Sequence, residues 1–200
     1  MEKIVPRTAY DAKILFPRGA DLSKLKVTKE GMSSITTHKL AREIAHYARK
    51  YYPKLIIDAT ANIGGNAIAF GQLFDHVIAC EIKRATCDVL KSNISEYKLD
   101  GRVIPFLCDF NRAVKFLPIA DIVFIDPPWF IGCDHNMSLS LVSKHHVWNL
   151  PIEETIFRIW HSMPDAVIMI KVPKKWRIHI LPTNILKFKK MDILVFEPSI

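Results

Sequence analysis

Ile122-Val123-Phe124-Ile125-Asp126-Pro127-Pro128-Trp129 is the stretch whose reading decides the fold. Its first half is a continuous apolar run of β-favouring residues, which reads as a strand buried on both faces. The two prolines then stop it, because proline lacks an N–H and has a fixed φ, so a sheet cannot continue through the pair. A carboxylate, two stiff carbonyls and an indole are thereby held as a rigid shelf at a strand's C-terminal end. In an open α/β sheet that edge is where ligands bind. A planar nitrogen heterocycle could stack on Trp129 while its exocyclic amine bonds to the shelf, an arrangement suited to alkylating an aromatic amine.

Upstream, short apolar strands alternate with helical patterns. Leu55–Ile57, Val77–Cys80 and Val103–Leu107 read as strands. Gly65–Phe74 and Lys83–Tyr97 read as helices, the second striped by Cys87, Leu90, Ile94 and Tyr97. A helix precedes them from about Thr36-Thr37, with Leu40, Ile44, Tyr47 and Tyr51 on one face and Pro53 as its stop. Arg112–Phe116 reads as a short helical turn. Downstream, Pro151 with Glu153 and Glu154 opens a helix bearing Ile156, Ile159 and Met163, which Trp160 joins. Ala166–Val172 is a further strand, and Ile185–Phe188 with Ile193–Phe196 form a closing hairpin. This order predicts an α/β, Rossmann-like fold: a mostly parallel sheet with helices on both faces and a C-terminal antiparallel hairpin. Residues 1–35 are expected as an irregular arm with room for a short helix, packed on the core, and 36–200 as the domain itself.

Acids fall at the ends of successive strands. Asp58 precedes the turn Ala59-Thr60-Ala61-Asn62-Ile63-Gly64-Gly65-Asn66, where glycines let a ligand approach the backbone. The dinucleotide spacing GxGxxG is missing, with Asn62 where a glycine is usual, which disfavours a pyrophosphate-bearing cofactor. Glu81 ends the second strand, placed to accept from both ribose hydroxyls of an adenosine. Asp109 ends the third, placed to accept from an adenine amino group with Phe110 packed nearby. With Asp126 on the fourth, these acids fit one ligand crossing the sheet edge, and S-adenosyl-L-methionine is the adenosyl cofactor without a pyrophosphate.

Three blocks resemble the class I methyltransferases and, more narrowly, the trimethylguanosine synthase family of RNA cap guanine-N2 methyltransferases. Glu30-Gly31-Met32-Ser33-Ser34-Ile35-Thr36 resembles that family's E-G-W-[FY]-S-V-T entry segment. Asp58–Asn66 resembles D-A-F-C-G-V-G-G-N, and Ala120–Trp129 resembles A-D-V-V-F-L-S-P-P-W. The resemblance implies methyl transfer from S-adenosylmethionine to the 2-amino group of a 7-methylguanosine cap, hence capped RNA as partner. It implies Thr36, Asp58, Ala61, Asn62, Gly64, Asn66, Glu81, Ile82, Asp109, Phe110 and Asp126 as the cofactor set. Asp126, Pro127 and Trp129 would act at the reacting amine, and Trp129 with Pro128 would hold the base. The chain departs from the pattern at Asp126, where the family has serine, at Met32 and Ser33, which replace two aromatics, and at Phe130-Ile131, which replace Gly-Gly. Because D-P-P-W is also the signature of adenine exocyclic-amine methyltransferases, an adenine N6 enzyme on RNA or DNA is one alternative. A catalytically inactive RNA-binding subunit of the same fold is another, and an aminopropyl transferase resembling spermidine synthase a third.

Net charge of +8 favours a polyanionic partner. Lys171, Lys174, Lys175 and Arg177 after the late strand could hold substrate phosphates, as could Lys13, Arg18, Lys24, Lys26 and Lys29 in the arm. Cys80, Cys87, Cys108 and Cys133 show no CxxC or zinc spacing and read as buried free thiols of a reducing compartment. Cys133, Asp134, His135, His145 and His146 match no structural zinc pattern, so no metal is expected. With no signal segment and no apolar run long enough to span a bilayer, a soluble intracellular protein, acting as a monomer, is expected.

Overall fold

The computed structural model describes residue 4 and residues 12–127, 151–174, 176 and 178–198. The strands are β1 (Ile56–Asp58), β2 (Val77–Glu81), β3 (Val103–Leu107), β4 (Ile122–Ile125), β5 (Val167–Pro173), β6 (Asn184–Lys187) and β7 (Met191–Phe196). They form a seven-stranded sheet in the order β3-β2-β1-β4-β5-β7-β6. β1 to β5 pair in parallel, and β7 runs antiparallel against both β5 and β6. The expected closing hairpin is therefore present, with β7 inserted between β5 and β6.

Side-chain alternation along the strands divides the core into two layers. Ile56, Phe124 and Met169 join the cluster under α3 (His38–Ala48), α4 (Gly65–Gly71) and α5 (Arg84–Glu96). Ile57, Val123, Ile125 and Ile168 join the opposite cluster, under α6 (Phe110–Ala113) and α7 (Ile152–Ser162). At the entry to the sheet, Asp121 Oδ2 accepts the Lys54 and Leu55 N–H groups, both at 2.8 Å, which pins β1 beside β4. Strand order reverses between β1 and β4, and this is the switch point at which an open α/β sheet leaves a crevice.

Several elements differ from their sequence-based expectation. The arm contains α1 (Ala12–Leu15) and α2 (Lys29–Ser34); the latter starts where the Thr28 hydroxyl accepts the Gly31 N–H. Phe16, Leu25 and Val27 are buried in the α3–α5 layer. Asn93 of α5, fully buried, bonds the Lys26 backbone through both its N–H and C=O, and also the Ile63 carbonyl. One side chain thus joins the arm, α5 and the glycine loop. α3 stops at Ala48 and continues as a 3₁₀ turn to Tyr51, before Tyr52 turns left-handed at φ 49. α4 ends at Gly71 rather than Phe74, and α6 starts at Phe110, capped by Asp109.

Gly65 marks the tightest approach between the entry segment and the glycine loop. A Cβ there would lie 2.7 Å from Ile35 Cγ1 and 3.0 Å from the Thr36 carbonyl oxygen. The Gly65→Ala substitution must displace the Ile35 side chain and crowds the Thr36 carbonyl, and is expected to cost about 1–3 kcal/mol in urea unfolding. A variant as stable as the parent chain would show that this packing is looser than described.

Candidate active site

Asp58 ends β1, and the chain then turns above the sheet edge with Asn62 at φ 51 and Gly64 at φ 106. Both conformations are left-handed, tolerated by asparagine and natural to glycine. The turn is held from three sides. The Ala61 N–H donates to the Cys80 carbonyl at 2.8 Å, and the Ala59 N–H to the Phe124 carbonyl at 2.8 Å. Asn62 Nδ2 reaches Ser34 Oγ of α2 at 2.8 Å. Glu81 completes the clasp: its Oε2 accepts the Asn62 N–H at 3.0 Å and its Oε1 the Lys83 N–H at 2.8 Å. Lys83 in turn pairs with Glu30 of α2.

Among the described residues, two acceptors at this loop lack a partner. Asp58 Oδ1 accepts the Thr60 N–H at 3.2 Å, whereas its fully buried Oδ2 has none. Asn66 donates from Nδ2 to the Thr36 hydroxyl at 3.0 Å, and its Oδ1 is likewise unpaired. Unsatisfied buried acceptors are rare and call for a donor. The α-ammonium of an amino-acid ligand supplies three, so these residues fit the methionyl end of S-adenosylmethionine. Burial, reinforced by the nearby Asp126 and Glu81 charges, pushes the Asp58 carboxyl up to about 8, against the opposing pull of the Thr60 N–H and Lys171.

Asp126 and Pro127 follow β4 as expected. The Asp126 N–H donates to Thr60 Oγ1 at 2.7 Å, tying shelf to loop. Its Oδ2 lies 2.7 Å from Lys171 Nζ and accepts the Thr36 hydroxyl at 3.0 Å. Lys171, grouped by sequence with the phosphate-facing cations, is only 4% exposed and points instead into this cluster. Thr36, Asp58, Asn66, Asp126 and Lys171 are thus brought together. Sequence reasoning missed Thr60 and gave Lys171 to the phosphates, although a lone cation within the apolar strand Val167–Pro173 was a readable signal.

The remaining expected residues are more dispersed. Asp109 caps α6, its Oδ1 taking the Asn111 N–H at 3.1 Å, with Arg112 3.6 Å from Oδ2. Phe110 is buried in the α6–α7 layer, and Ile82 is exposed beside Glu81. Lys174 Nζ lies 2.6 Å from Asp192 Oδ1. Pro128, Trp129, Lys175 and Arg177 lie outside the described residues, as do Cys133, Asp134, His135, His145 and His146. Cys80, Cys87 and Cys108 are free thiols. A groove of about 520 Å³ between α6 and α7 is lined by Arg112, Lys115, Phe157 and Arg158; none of its lining residues carries an unsatisfied buried polar atom. No helix among the described residues is long and apolar enough to cross a membrane.

The strand order, the antiparallel β7 and the acids along the switch point define a class I methyltransferase fold. Residues 53–182 match the model of the RNA cap guanine-N2 methyltransferases, and the chain belongs to that family. It is 31% identical over 102 residues to trimethylguanosine synthase of Schizosaccharomyces pombe. That alignment covers 48% of this chain and 42% of the relative, so the chain matches less than half the relative's length. Among solved structures, a methyltransferase from Geobacter sulfurreducens superposes with a TM-score of 0.58 at 15% identity, covering 80% of this chain and 78% of that one. A SAM-dependent methyltransferase from Neisseria gonorrhoeae does so with a TM-score of 0.57 at 16% identity, covering 80% and 66%. At such identities the likeness speaks for the fold alone.

Asp58 holds its proton more tightly in the folded chain than at the ordinary value of 3.8. The stability linked to it is fully present below pH 3.8, declines as pH rises, and is lost on passing about 8. Scanning calorimetry of the unliganded protein is expected to show the midpoint of the parent chain falling by at least roughly 5 °C more than that of Asp58→Asn between pH 5 and pH 8. Parallel profiles would contradict the burial of this carboxyl.

Proposed function

We propose that this protein transfers a methyl group from S-adenosylmethionine to the exocyclic 2-amino group of the 7-methylguanosine cap of RNA. The observation that carries the reading is the position of Asp126-Pro127, hydrogen-bonded to the glycine loop of a chain whose family is that of the cap guanine-N2 methyltransferases.

S-adenosylmethionine supplies a methyl group on a positively charged sulfur, already activated towards a nucleophile. The residues need only bind and aim. Asp58 Oδ2 and Asn66 Oδ1 accept from the methionyl ammonium, and Glu81 from the ribose hydroxyls beside the exposed face of Ile82. Asp109 accepts from the adenine amine, next to Phe110. Thr36, Ala61, Asn62 and Gly64 form the wall against which the ligand lies. The Asp126 carboxylate and the Pro127 carbonyl accept the hydrogens of the attacking amine and stabilise the charge that develops on nitrogen. Bound there, the sulfonium would give up its methyl to the amine nitrogen, and Asp126 or water would take the proton the amine loses. Holding the two reacting atoms at about 3–3.5 Å is the main contribution to rate.

Trp129 and Pro128 hold the base. An indole against a cationic 7-methylpurine gains about 1–3 kcal/mol from stacking and cation–π attraction. Lys174, Lys175 and Arg177 take the phosphates; for Lys174 this means exchanging or sharing its Asp192 partner. The carboxylate at 126 also favours a second reading, methylation of the adenine N6 amine. A catalytically silent subunit is excluded if S-adenosylhomocysteine binds tightly and a product forms.

Incubation with 7-methylguanosine cap analogue and, separately, uncapped adenine-containing RNA, with mass detection, distinguishes these readings. One or two methyl groups on the cap analogue alone is the expected result. Methyl gain only on uncapped RNA would transfer the assignment to adenine, and gain on neither would remove it. Trp129→Ala is expected to raise KM for the cap analogue by roughly tenfold or more with kcat little changed.

A further inference from the structure

The cluster around Asp126 is more complete than methyl transfer to an amine requires. Thr36 Oγ1 accepts Lys171 Nζ at 2.9 Å and Asn66 Nδ2 at 3.0 Å, so both its lone pairs are used. Its single O–H then has one direction left, to Asp126 Oδ2 at 3.0 Å. That same Oδ2 receives Lys171 Nζ at 2.7 Å. The Asp126 backbone is fixed in turn by its N–H bond to Thr60. Among the described residues, both side-chain contacts to this carboxylate fall on one oxygen. Oδ1 has no partner among the described residues.

The cation that achieves this is deeply placed. Lys171 stands between Ile170 and Val172 in β5, and its side chain is 5% exposed against 11% for that of Asp126. Its ammonium is already committed to Asp126 and Thr36 at the sheet edge, not extended into solvent towards a phosphate. A cation at this depth is retained only when paired and hydrogen-bonded.

We infer that Lys171 is a positioning residue for the reaction. Together with Thr36 it occupies Oδ2 of Asp126, offsets the carboxylate charge, and presents Oδ1 as the acceptor for the substrate's exocyclic amine. Asn66 extends the same chain of bonds to the glycine loop, so the acceptor of the amine and the cradle of the methyl donor share one hydrogen-bonded frame. The inference rests on the methyltransferase reading of the site. It adds to that reading a residue on β5 that acts through Asp126.

The test compares the parent chain with Lys171→Met, Lys171→Gln and the double variant Asp126→Ser, Lys171→Met, in steady-state methylation of cap analogue and of uncapped RNA. S-adenosylhomocysteine affinity serves as the control for an intact fold. Lys171→Met is expected to lower kcat by about 30-fold or more, with KM for both substrates within about threefold, because the loss lies in orientation. Lys171→Gln keeps a donor to Oδ2 and is expected to recover at least about fivefold of that loss. The double variant leaves neither charge buried alone and keeps a hydroxyl acceptor, so it too is expected to exceed Lys171→Met by about fivefold or more. A Lys171→Met protein that binds S-adenosylhomocysteine normally and turns over within twofold of the parent overturns the inference. So does failure of both the glutamine and the double variant to recover, which would reduce Lys171 to a structural role. Should Lys171→Met not fold, the double variant decides alone: folded, ligand-binding and active supports the inference, whereas folded, ligand-binding and inactive overturns it. A parent chain without turnover on either acceptor removes the functional reading and this inference with it. A parent that turns over beside an unaffected Lys171→Met removes only the inference.

Discussion

Parallel pairing of β1 with β2 and β4 brings the carboxyl groups of Asp58, Glu81 and Asp126 to one edge of the sheet, and three like charges there must each be offset. The protein uses a different solution for each. Asp58 is buried and, until an ammonium pairs with it, retains its proton to about pH 8. Glu81 accepts two backbone N–H groups, turning its charge into the clasp of the glycine loop. Asp126 takes the ammonium of Lys171 and the hydroxyl of Thr36. Removing the Lys171 partner would leave an uncompensated charge at depth, a change that typically costs about 3–5 kcal/mol. The geometry of the whole edge depends on that contact, because it joins β4, β5 and the entry to α3 at one point.

The same edge explains why the arm matters. The segment from Thr28 to Thr36 supplies Ser34 to Asn62, Glu30 to Lys83 and Thr36 to Asp126. In the family pattern this segment carries aromatics where Met32 and Ser33 stand here. It nevertheless lies against the loop closely enough that a Cβ on Gly65 would overlap the Ile35 side chain. The departures therefore alter side chains around the crevice while the frame that shapes it is retained. Asp126 and Lys171 belong together: a charged acceptor at that position calls for a cation, and β5 provides one.

Much of this architecture was legible in the residues. Strands β1, β2, β4 and β5 announced themselves because near-continuous apolar runs such as Ile122–Ile125 are what a doubly covered parallel sheet requires, and the apolar run of β3 was as readable although Ile104 and Phe106 are exposed at the sheet edge. The acids at Asp58, Glu81, Asp109 and Asp126 were readable as strand ends for the same reason. α2 was not legible, because Lys29–Ser34 buries only Gly31 and has no apolar stripe; the Thr28 cap and contacts to the loop hold it. Lys171 was misread because its neighbours at 174–177 are also basic, and sequence proximity does not distinguish a cation within a strand from those beyond it. The unpaired oxygens of Asp58 and Asn66 were beyond sequence reasoning, since they follow from where every other donor is already committed.

The central claim is that the methyl donor lies across the tips of β1 and β2 with its amino-acid end on Asp58. A crystal structure of the complex with S-adenosylhomocysteine tests it most directly. The account predicts the ligand's ammonium within about 3 Å of Asp58 Oδ2 or Asn66 Oδ1, its ribose hydroxyls on Glu81, and its sulfur facing the Asp126-Pro127 shelf. A ligand bound elsewhere, for instance in the groove between α6 and α7, with the two buried oxygens still without donors, would contradict it.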